Sequence, residues 1–367
     1  MNFPNINRKT ISFFLAVFLS IFCLGGAFSC LPAYAALESW SDTSTNKQAI
    51  VDFVNKVIAD GISEKDRIAV FDNDGTLWAE RPHYFQKDFI KDRLKKSSNV
   101  RVSNLVKMTQ KEIEKTIGEP ISAEGKIILS EIPSTIGITN GQYKTQAHDF
   151  LVNTNHNKLA SSDDKGFIRF DTPYINLTYQ PVIELVNYLK ENGFKVYICS
   201  GGGIYFVRSF SDEAYGIPSE EVIGSAIKTT YDESNKIDGQ GGSLVRKLSL
   251  AHYGDQQGKP VGIELFIGKR PLIAVGNSSG DFEMFKYTDS GFDKSLIVLI
   301  NHDDCEREYK YNDVPGSTHL KDGVEVPDNE SLDYAQNHDN WIVVSMKNDF
   351  KSIFKSNPSR THPVCSN

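Results

Sequence analysis

Two aspartates one residue apart, Asp72 and Asp74, lie in the stretch AVFDNDGTLW at 69–78. They follow an apolar run typical of a strand, in which residues i and i+2 face the same way, so both carboxylates face one site. A divalent cation or a shared proton must relieve their repulsion, and oxygen ligands suit Mg²⁺. A carboxylate nucleophile beside a second acid can accept a phosphoryl group and then release it to water. For an isolated Asp-x-Asp pair, the alternative is a polar turn after a strand.

Two further polar segments follow apolar runs. The sequence SGGG at 200–203 leads into a helical stretch, where a hydroxyl and backbone N–H groups form a phosphate cradle, although glycines also serve plain tight turns. The sequence GNSSGD at 276–281 contributes two more oxygen ligands, Asn277 and Asp281. These segments add a phosphate site and metal ligands to the aspartate pair.

A lysine is needed to offset the negative charge of such a site. Lys259, in GKP before the helical stretch 261–267, can point inward from a helix start. Lys269 and Arg270 immediately precede a strand and so belong to the opposite end of the sheet. Lys259 is therefore the better candidate, and a solvated surface lysine is the alternative.

Short apolar runs separated by helical patterns indicate how these residues are positioned. Such runs are typical of strands buried on both faces of a parallel sheet, and they lie at 68–71, 194–199, 272–275, 295–300 and 341–346. Helical spacing at 47–59 and 181–192 places helices between them. The prediction is an α/β doubly wound sheet, whose ligands bind beyond the carboxyl ends of the strands.

About 115 residues lie between Trp78 and the second strand, far more than a βα connection needs. This insertion predicts a mostly helical cap over the strand ends, with helices at 102–117 and 141–153. The sequence does not decide the secondary structure of 119–140. Five residues after the aspartate pair are expected either to line the cap entrance or to form a structural hairpin or hinge: Trp78, Glu80, His83, Tyr84 and Gln86. The segment His302-Asp303-Asp304 follows a strand and is expected in a solvated loop, with a place at the rim of the site as the alternative. The expected organisation is a core of 36–78 and 191–357, a cap of 79–190 and a tail of 358–367.

The first 35 residues have the pattern of an export signal. Arg8 and Lys9 precede an apolar stretch at 11–28, and Ala33-Tyr34-Ala35 supplies a small-x-small cleavage site. An uncleaved membrane anchor is the alternative. The prediction is a periplasmic or secreted protein. An oxidising compartment would allow a disulfide bond between Cys305 and Cys365, and the sequence leaves this pairing open. Cys199 is expected to be an inert core thiol.

Composition and charge limit the partners. Hydrophobic residues make up 40% of the 367-residue chain, enough for a sizeable core, and 47 acidic against 40 basic residues give a net charge of −7. A broad nucleic-acid surface and a polybasic membrane patch are therefore excluded. A small-molecule partner is expected, with no membrane contact after signal cleavage.

The motifs, in this order along the chain, resemble those of the haloacid dehalogenase (HAD) superfamily. They are similar to its phosphoserine-phosphatase-like branch, in an exported bacterial form, and the resemblance extends from about residue 40 to residue 354. It implies that Asp72 is the nucleophile and a Mg²⁺ ligand, and that Asp74 is the acid and base whose backbone carbonyl also binds the metal. Lys259 steadies the nucleophile and the phosphoryl charge.

The same resemblance implies roles for the remaining motif residues. Ser200, the Gly201 N–H and Thr76 bind phosphate, while Asn277 and Asp281 match the metal and lysine-holding positions and complete the metal set with Asp72 and Asp74. One departure is Asn277, where the family usually has an aspartate. An amide oxygen still binds Mg²⁺, but with one negative charge fewer the metal is held more weakly.

The function expected is a Mg²⁺-dependent phosphomonoesterase that acts on a small extracytoplasmic phosphoester through an aspartyl-phosphate. Two alternatives stay open. One is a phosphomutase on the same scaffold. The other is a non-catalytic module that binds a phosphate ester or a metal, which the departure at Asn277 motivates.

Overall fold

The computed structural model describes residues 37–96, 122–135, 137–161, 164, 169–235, 241–290, 294–312, 314–321 and 324–360. The predicted signal peptide, the predicted helix at 102–117, Cys365 and residues 361–367 of the predicted tail lie outside the described residues. Within the described ranges, each helix is too short or too polar to cross a membrane.

A seven-stranded sheet forms the centre of the molecule. Its order is β4-β3-β2-β1-β5-β6-β9, and all neighbouring pairs are parallel except β3 with β4. Two further strands, β7 and β8, form a separate antiparallel pair. The strands are β1 (Ile68–Phe71), β2 (Lys195–Gly203), β3 (Val222–Asp232), β4 (Ser243–His252), β5 (Ile273–Gly276), β6 (Leu296–Asn301), β7 (Thr318–Lys321), β8 (Val324–Pro327) and β9 (Trp341–Ser345).

Helices cover both faces of this sheet. In β1, Ala69 and Phe71 join one apolar layer and Ile68 and Val70 the other, as the alternation of a doubly covered strand requires. The helices are α1 (Thr45–Ala59), α2 (Phe85–Lys96), α3 (Ala123–Ser134), α4 (Asn140–Asn153), α5 (Gln180–Glu191), α6 (Ile204–Val207), α7 (Ser211–Tyr215), α8 (Gly258–Phe266), α9 (Phe282–Thr288), α10 (Glu330–Ala335) and α11 (Met346–Asp349). The predicted α/β doubly wound class is confirmed.

The insertion after β1 contains α2, α3 and α4. The stretch 119–140, whose secondary structure the sequence did not decide, contains helix α3. Helix α5, which the predicted boundary assigned to the cap, packs in the same apolar layer as α1, and the Trp40 indole N–H donates to the carbonyl of Pro181 at 2.8 Å. The insertion therefore ends before α5, which serves as the crossover helix between β1 and β2.

The β3–β4 hairpin does not follow the sequence prediction, which placed no strand there. It extends beyond the sheet toward the insertion, where the Arg246 backbone N–H donates to the carbonyl of Ile138 at 3.1 Å. The outer half of β3 is only partly buried, so its residues lack the continuous apolar run of the central strands.

The two described cysteines differ. Cys199 is a free thiol inside β2, and burial raises its pKa to about 12, which confirms the expectation of an inert core thiol. Cys305 is disulfide-bonded.

Candidate active site

The Asp72–Trp78 loop leaves the carboxyl end of β1 beside the end of β5. The Asp72 backbone N–H donates to the carbonyl of Val275 at 2.8 Å, and the Gly75 N–H donates to the carbonyl of Trp78 at 2.9 Å. Gly75 has φ +76°, and a Cβ there would lie 2.1 Å from the side-chain nitrogen of Asn277. Only glycine allows both this turn and this approach.

Lys259 joins two strand ends. Its Nζ donates to Asp72 Oδ1 and to Asp281 Oδ1, both at 2.6 Å, and all three side chains are buried. Asp281 Oδ2 accepts from the backbone N–H groups of Asn277 at 2.9 Å and of Ser278 at 3.0 Å. Both carboxylate oxygens of Asp281 therefore accept hydrogen bonds from the protein. This places Asp281 to hold Lys259, whereas the sequence analysis also counted it as a metal ligand.

Asp74 lies in a fixed hydrogen-bonded setting. Its Oδ1 accepts from the Trp78 indole N–H at 2.9 Å and its Oδ2 from the Asn73 amide at 3.1 Å. Burial raises the pKa of Asp74 to about 6, against the opposing effect of these hydrogen bonds. Burial, together with the nearby charge of Asp281, raises the pKa of Asp72 well above its ordinary value. Both carboxyl groups are therefore harder to ionise than an exposed aspartate, as expected for two acids that share a buried site.

The segment Ser200–Gly203 at the end of β2, called the glycine loop below, approaches Asp74. Ser200 Oγ accepts from the Gly202 N–H at 3.0 Å, and a Cβ on Gly202 would lie 3.7 Å from Asp74 Oδ2. Ser200 is fully buried, and the Gly201 carbonyl accepts from the Ser225 hydroxyl at 2.7 Å. The loop residues are not among those that line the cavity at the strand ends, so the predicted phosphate contacts of Ser200 and the Gly201 N–H stay a prediction.

The Thr76 side chain contacts the loop after β5 and not the glycine loop. Its hydroxyl donates to Asn277 Oδ1 at 3.4 Å, it is fully buried, and it does not line the cavity at the strand ends. The predicted phosphate contact of Thr76 is thus replaced by a contact with Asn277, because the turn at Gly75 directs the side chain toward the loop after β5.

A cavity of about 150 Å³, called the catalytic cavity below, opens between these groups. Five of its lining residues are acidic and buried, against one buried lysine, Lys259. Those acids are Asp72, Asp74, Glu80, Asp255 and Asp281. The excess of negative charge favours a bound cation.

The donors present fit a hard cation such as Mg²⁺. Among the described residues, no three His, Cys, Asp or Glu side chains group as a metal site. Of the predicted ligands, the Asp72 carboxylate, the Asp74 backbone carbonyl and the Asn277 amide would hold the ion. Asn277 Nδ2 is buried and has no hydrogen-bond partner. Because either end of an amide can face the cavity, that orphaned position suits a metal-bound oxygen.

Two residues of the site were missed by the sequence analysis. Asp255 is buried in the cavity wall just before α8, and its only signal is its position four residues before Lys259. His302, expected in a solvated loop, is instead buried. Its Nε2 donates to the carbonyl of Gly75 at 2.7 Å, and its Nδ1 lies 3.2 Å from Glu308 Oε2. The expectation for His302 was wrong because the residues after β6 fold back under the Gly75 turn.

No protein-family model matches the chain, and no curated protein matches it. Among solved structures, the chain is similar to a conserved, functionally unknown protein from Anaerococcus prevotii, with 14% identity, a TM-score of 0.44 and coverage of 71% of this chain and 86% of that one. It is also similar to a phosphoserine phosphohydrolase-like protein from Francisella tularensis, with 17% identity, a TM-score of 0.35 and coverage of 64% and 88%. A third is a probable phosphoserine phosphatase from Vibrio cholerae, with 15% identity, a TM-score of 0.33 and coverage of 70% and 64%. At these identities and TM-scores no activity is transferred, and the function rests on the residues of the site.

Proposed function

We propose that this protein is a Mg²⁺-dependent phosphomonoesterase of the HAD type. The observation that carries the proposal is the position of Asp72, a buried carboxylate at the end of the central strand. Lys259 holds it at 2.6 Å, and a second acid, Asp74, follows two residues later. This arrangement supplies a nucleophile, a proton donor and a fixed positive charge around one small cavity.

In the first step, an oxygen of Asp72 forms a bond to phosphorus while the bond from phosphorus to the leaving oxygen breaks. Asp74 donates its proton to that leaving oxygen. Lys259 keeps the Asp72 carboxylate oriented and offsets phosphoryl charge, while the Ser200 hydroxyl and the Gly201 N–H donate to the phosphate oxygens. A bound Mg²⁺ supplies further neutralisation of the phosphoryl oxygens.

In the second step, water attacks phosphorus, Asp74 takes up the proton of that water, and the bond between phosphorus and Asp72 breaks. Inorganic phosphate leaves and both aspartates return to their starting states. The hydrogen bonds from Trp78 and Asn73 keep Asp74 in one orientation through both proton transfers.

The test is phosphate release by residues 36–367 from 4-nitrophenyl phosphate and a panel of natural phosphomonoesters, with Mg²⁺ or with chelator. We expect Mg²⁺-dependent release that falls roughly 10⁴-fold in Asp72→Asn. Asp52→Asn makes the same chemical change on the exposed face of α1 and should keep full activity. Tight binding of the esters without release by folded protein would contradict the proposal and favour a binding module. Return of the phosphoryl group to an isomer of the substrate would favour a phosphomutase.

We also propose that the protein acts outside the cytoplasm. The export pattern of the first 35 residues and the disulfide bond of Cys305 support this location. Sequencing the N-terminus of the protein from an extracytoplasmic fraction should find Ala36 first. Recovery of the full-length chain from the cytoplasm would contradict export.

A further inference from the structure

A second and larger cavity adjoins the catalytic one. It encloses about 470 Å³, and Glu80 and Tyr84 line both cavities. Its walls come from the segment 80–84 and from the facing helices α2 and α3. The catalytic cavity, at about 150 Å³, has room for little beyond a phosphoryl group. The larger cavity is therefore the space into which the rest of a phosphoester would extend.

The charge of this second cavity is opposite to that of the first. Glu80 is its single acidic lining residue among those described, whereas four lysines and arginines line it together with a histidine. These basic residues are Arg81, His83, Lys87, Lys91 and Lys126. The chain as a whole has a net charge of −7, so the positive lining is a local feature. We call this space the basic cavity.

The basic cavity also has an apolar floor. Ile90 and Ile127, from α2 and α3, are buried and lie among its lining residues. On α2, Lys87, Ile90 and Lys91 stand three and four residues apart, so cationic and apolar groups share one face of the helix. From Lys87 to Leu94 this face extends for roughly 10 Å. That length accommodates an aromatic ring followed by an anionic group.

The positive lining is specific to this face of α2. The other face lines a cavity of about 550 Å³ whose charged residues are Asp92, Arg93 and Asp149. Arg81 is held in place on the basic side, since its guanidinium lies 4.1 Å from the centre of the Tyr311 ring and its Nε is 3.8 Å from Glu80 Oε1. The cations are thus concentrated on the side of the helix that meets the catalytic cavity.

We propose that the basic cavity binds the leaving group of the substrate, and that this leaving group combines an apolar body with a second anionic group. This inference rests on the proposed phosphomonoesterase function. The second anion is a carboxylate or another phosphate, because either would contact the lysines of α2 while the apolar body covers Ile90 and Ile127.

The first experiment compares kcat/KM for aryl phosphates that differ only at the para position. They carry hydroxymethyl, carboxylate or a second phosphate. We expect kcat/KM to be about tenfold higher for at least one of the two substrates with an anionic para group than for the hydroxymethyl substrate. This preference should decrease as salt is raised. The better of the two substrates identifies the second anion. Lys91→Gln should reduce this preference by about fivefold. Lys95→Gln, an exposed lysine on the same helix outside the lining, should leave it unchanged.

A binding experiment separates this inference from the proposed activity. Calorimetry compares benzylphosphonate with (4-carboxybenzyl)phosphonate and (4-phosphonobenzyl)phosphonate, which are not hydrolysed. Tighter binding of either compound with a second acidic group, if it depends on Lys91, supports the basic cavity even where no phosphate release is found. Asp72-dependent release with equal kcat/KM for all three aryl phosphates would overturn the inference and leave the phosphatase intact. Equal binding of all the phosphonates would overturn it as well.

Discussion

Two buried charge clusters in this protein differ in the ratio of acidic to basic side chains. At the strand ends, five carboxylates and the single amine of Lys259 line one cavity, and within the described ranges only Glu80 among the five also faces an arginine, Arg81. In the insertion, Arg169 bridges Asp88 at 2.6 Å and Asp164 at 2.8 Å, and Tyr174 donates to Asp88 at 2.9 Å. We call this second group the cap ion-pair cluster. Its Arg169 and Asp88 side chains are as buried as those of the active site.

The two clusters shift the pKa values of Asp164 and Asp72 in opposite directions. Burial tends to raise the pKa of Asp164, but the hydrogen bonds from Arg169 and Ser161 outweigh it and leave that pKa below its ordinary value. Burial and Asp281 raise the pKa of Asp72 in spite of Lys259. Hydrogen bonds from one guanidinium to both carboxylates thus stabilise the fold, whereas the larger acid excess at the strand ends leaves charge for a cation and a substrate to complete.

The largest effect on stability is expected in the cap ion-pair cluster. Arg169→Met removes the charge partner of two buried carboxylates and should lower the free energy of unfolding by about 3–5 kcal/mol. Urea unfolding measures this loss. Lys56→Met breaks an exposed helical pair with Asp60 and should cost less than about 0.5 kcal/mol.

The same measurement on the active site sharpens the contrast. Asp72→Asn removes one of the surplus acids, so in chelator its free energy of unfolding should equal or exceed that of the wild type. A loss in Asp72→Asn as large as that in Arg169→Met would mean that the two clusters play the same structural role.

A smaller effect is expected from His156, whose backbone carbonyl accepts from Arg169. Burial and the charge of Arg169 lower the pKa of His156 well below 6.5, and its Nδ1 accepts from the Phe170 N–H at 3.0 Å. The folded protein keeps this ring neutral, whereas the unfolded chain protonates it below about pH 6.5. Its stabilising contribution is therefore complete above that pH and is lost as the pH falls, by about 2 kcal/mol at pH 5.

The measurement is the difference in unfolding free energy between the wild type and His156→Gln at pH 7 and at pH 5. Asp164 and His83 also face the ring, but both are present in each protein, so the difference isolates His156. We expect the advantage of the wild type to shrink by about 2 kcal/mol over this range. A constant difference would show that His156 takes up its proton equally in both states.

How far the sequence predicted this site depends on how local each contact is. Asp72 and Asp74 were predictable because a strand and a spacing of two residues suffice to align them. Lys259 is distant along the chain, yet a lysine at a helix start near the strand ends was the best available cation, and the structure places it against Asp72.

The missed contacts depend on the tertiary placement of the insertion. Arg169 meets Asp88 across 81 residues, and no spacing in the sequence foretells that pair. The β3–β4 hairpin was missed because Gly224 and Ser225 interrupt its apolar run and its outer part is exposed. His302 was misjudged because a polar residue after a strand is usually solvated, and only the fold shows what covers it.

The smallest effect is expected where the insertion touches the glycine loop. Gln86, on α2, accepts from the Gly203 N–H at 2.9 Å through Oε1, and its Nε2 donates to Glu131, which is paired with Arg246 of the β3–β4 hairpin. This chain of contacts links the hairpin and the insertion to Gly203, at the end of the glycine loop. Gln86 thus acts as a positioning residue, without touching the substrate.

Gln86→Met keeps the length of the side chain but loses both hydrogen bonds, so the glycine loop is no longer fixed against α2. We expect kcat/KM to fall about tenfold, and inhibition by inorganic phosphate to weaken by a similar factor, because both depend on how the loop places Ser200 and the Gly201 N–H. Gln142→Met is the matched control, since it removes the capping box that begins α4 and destabilises the insertion by about 1 kcal/mol without reaching the site. If both variants lower kcat/KM equally, Gln86 acts through stability alone. If only Gln86→Met weakens phosphate inhibition, the insertion positions the glycine loop through a single amide.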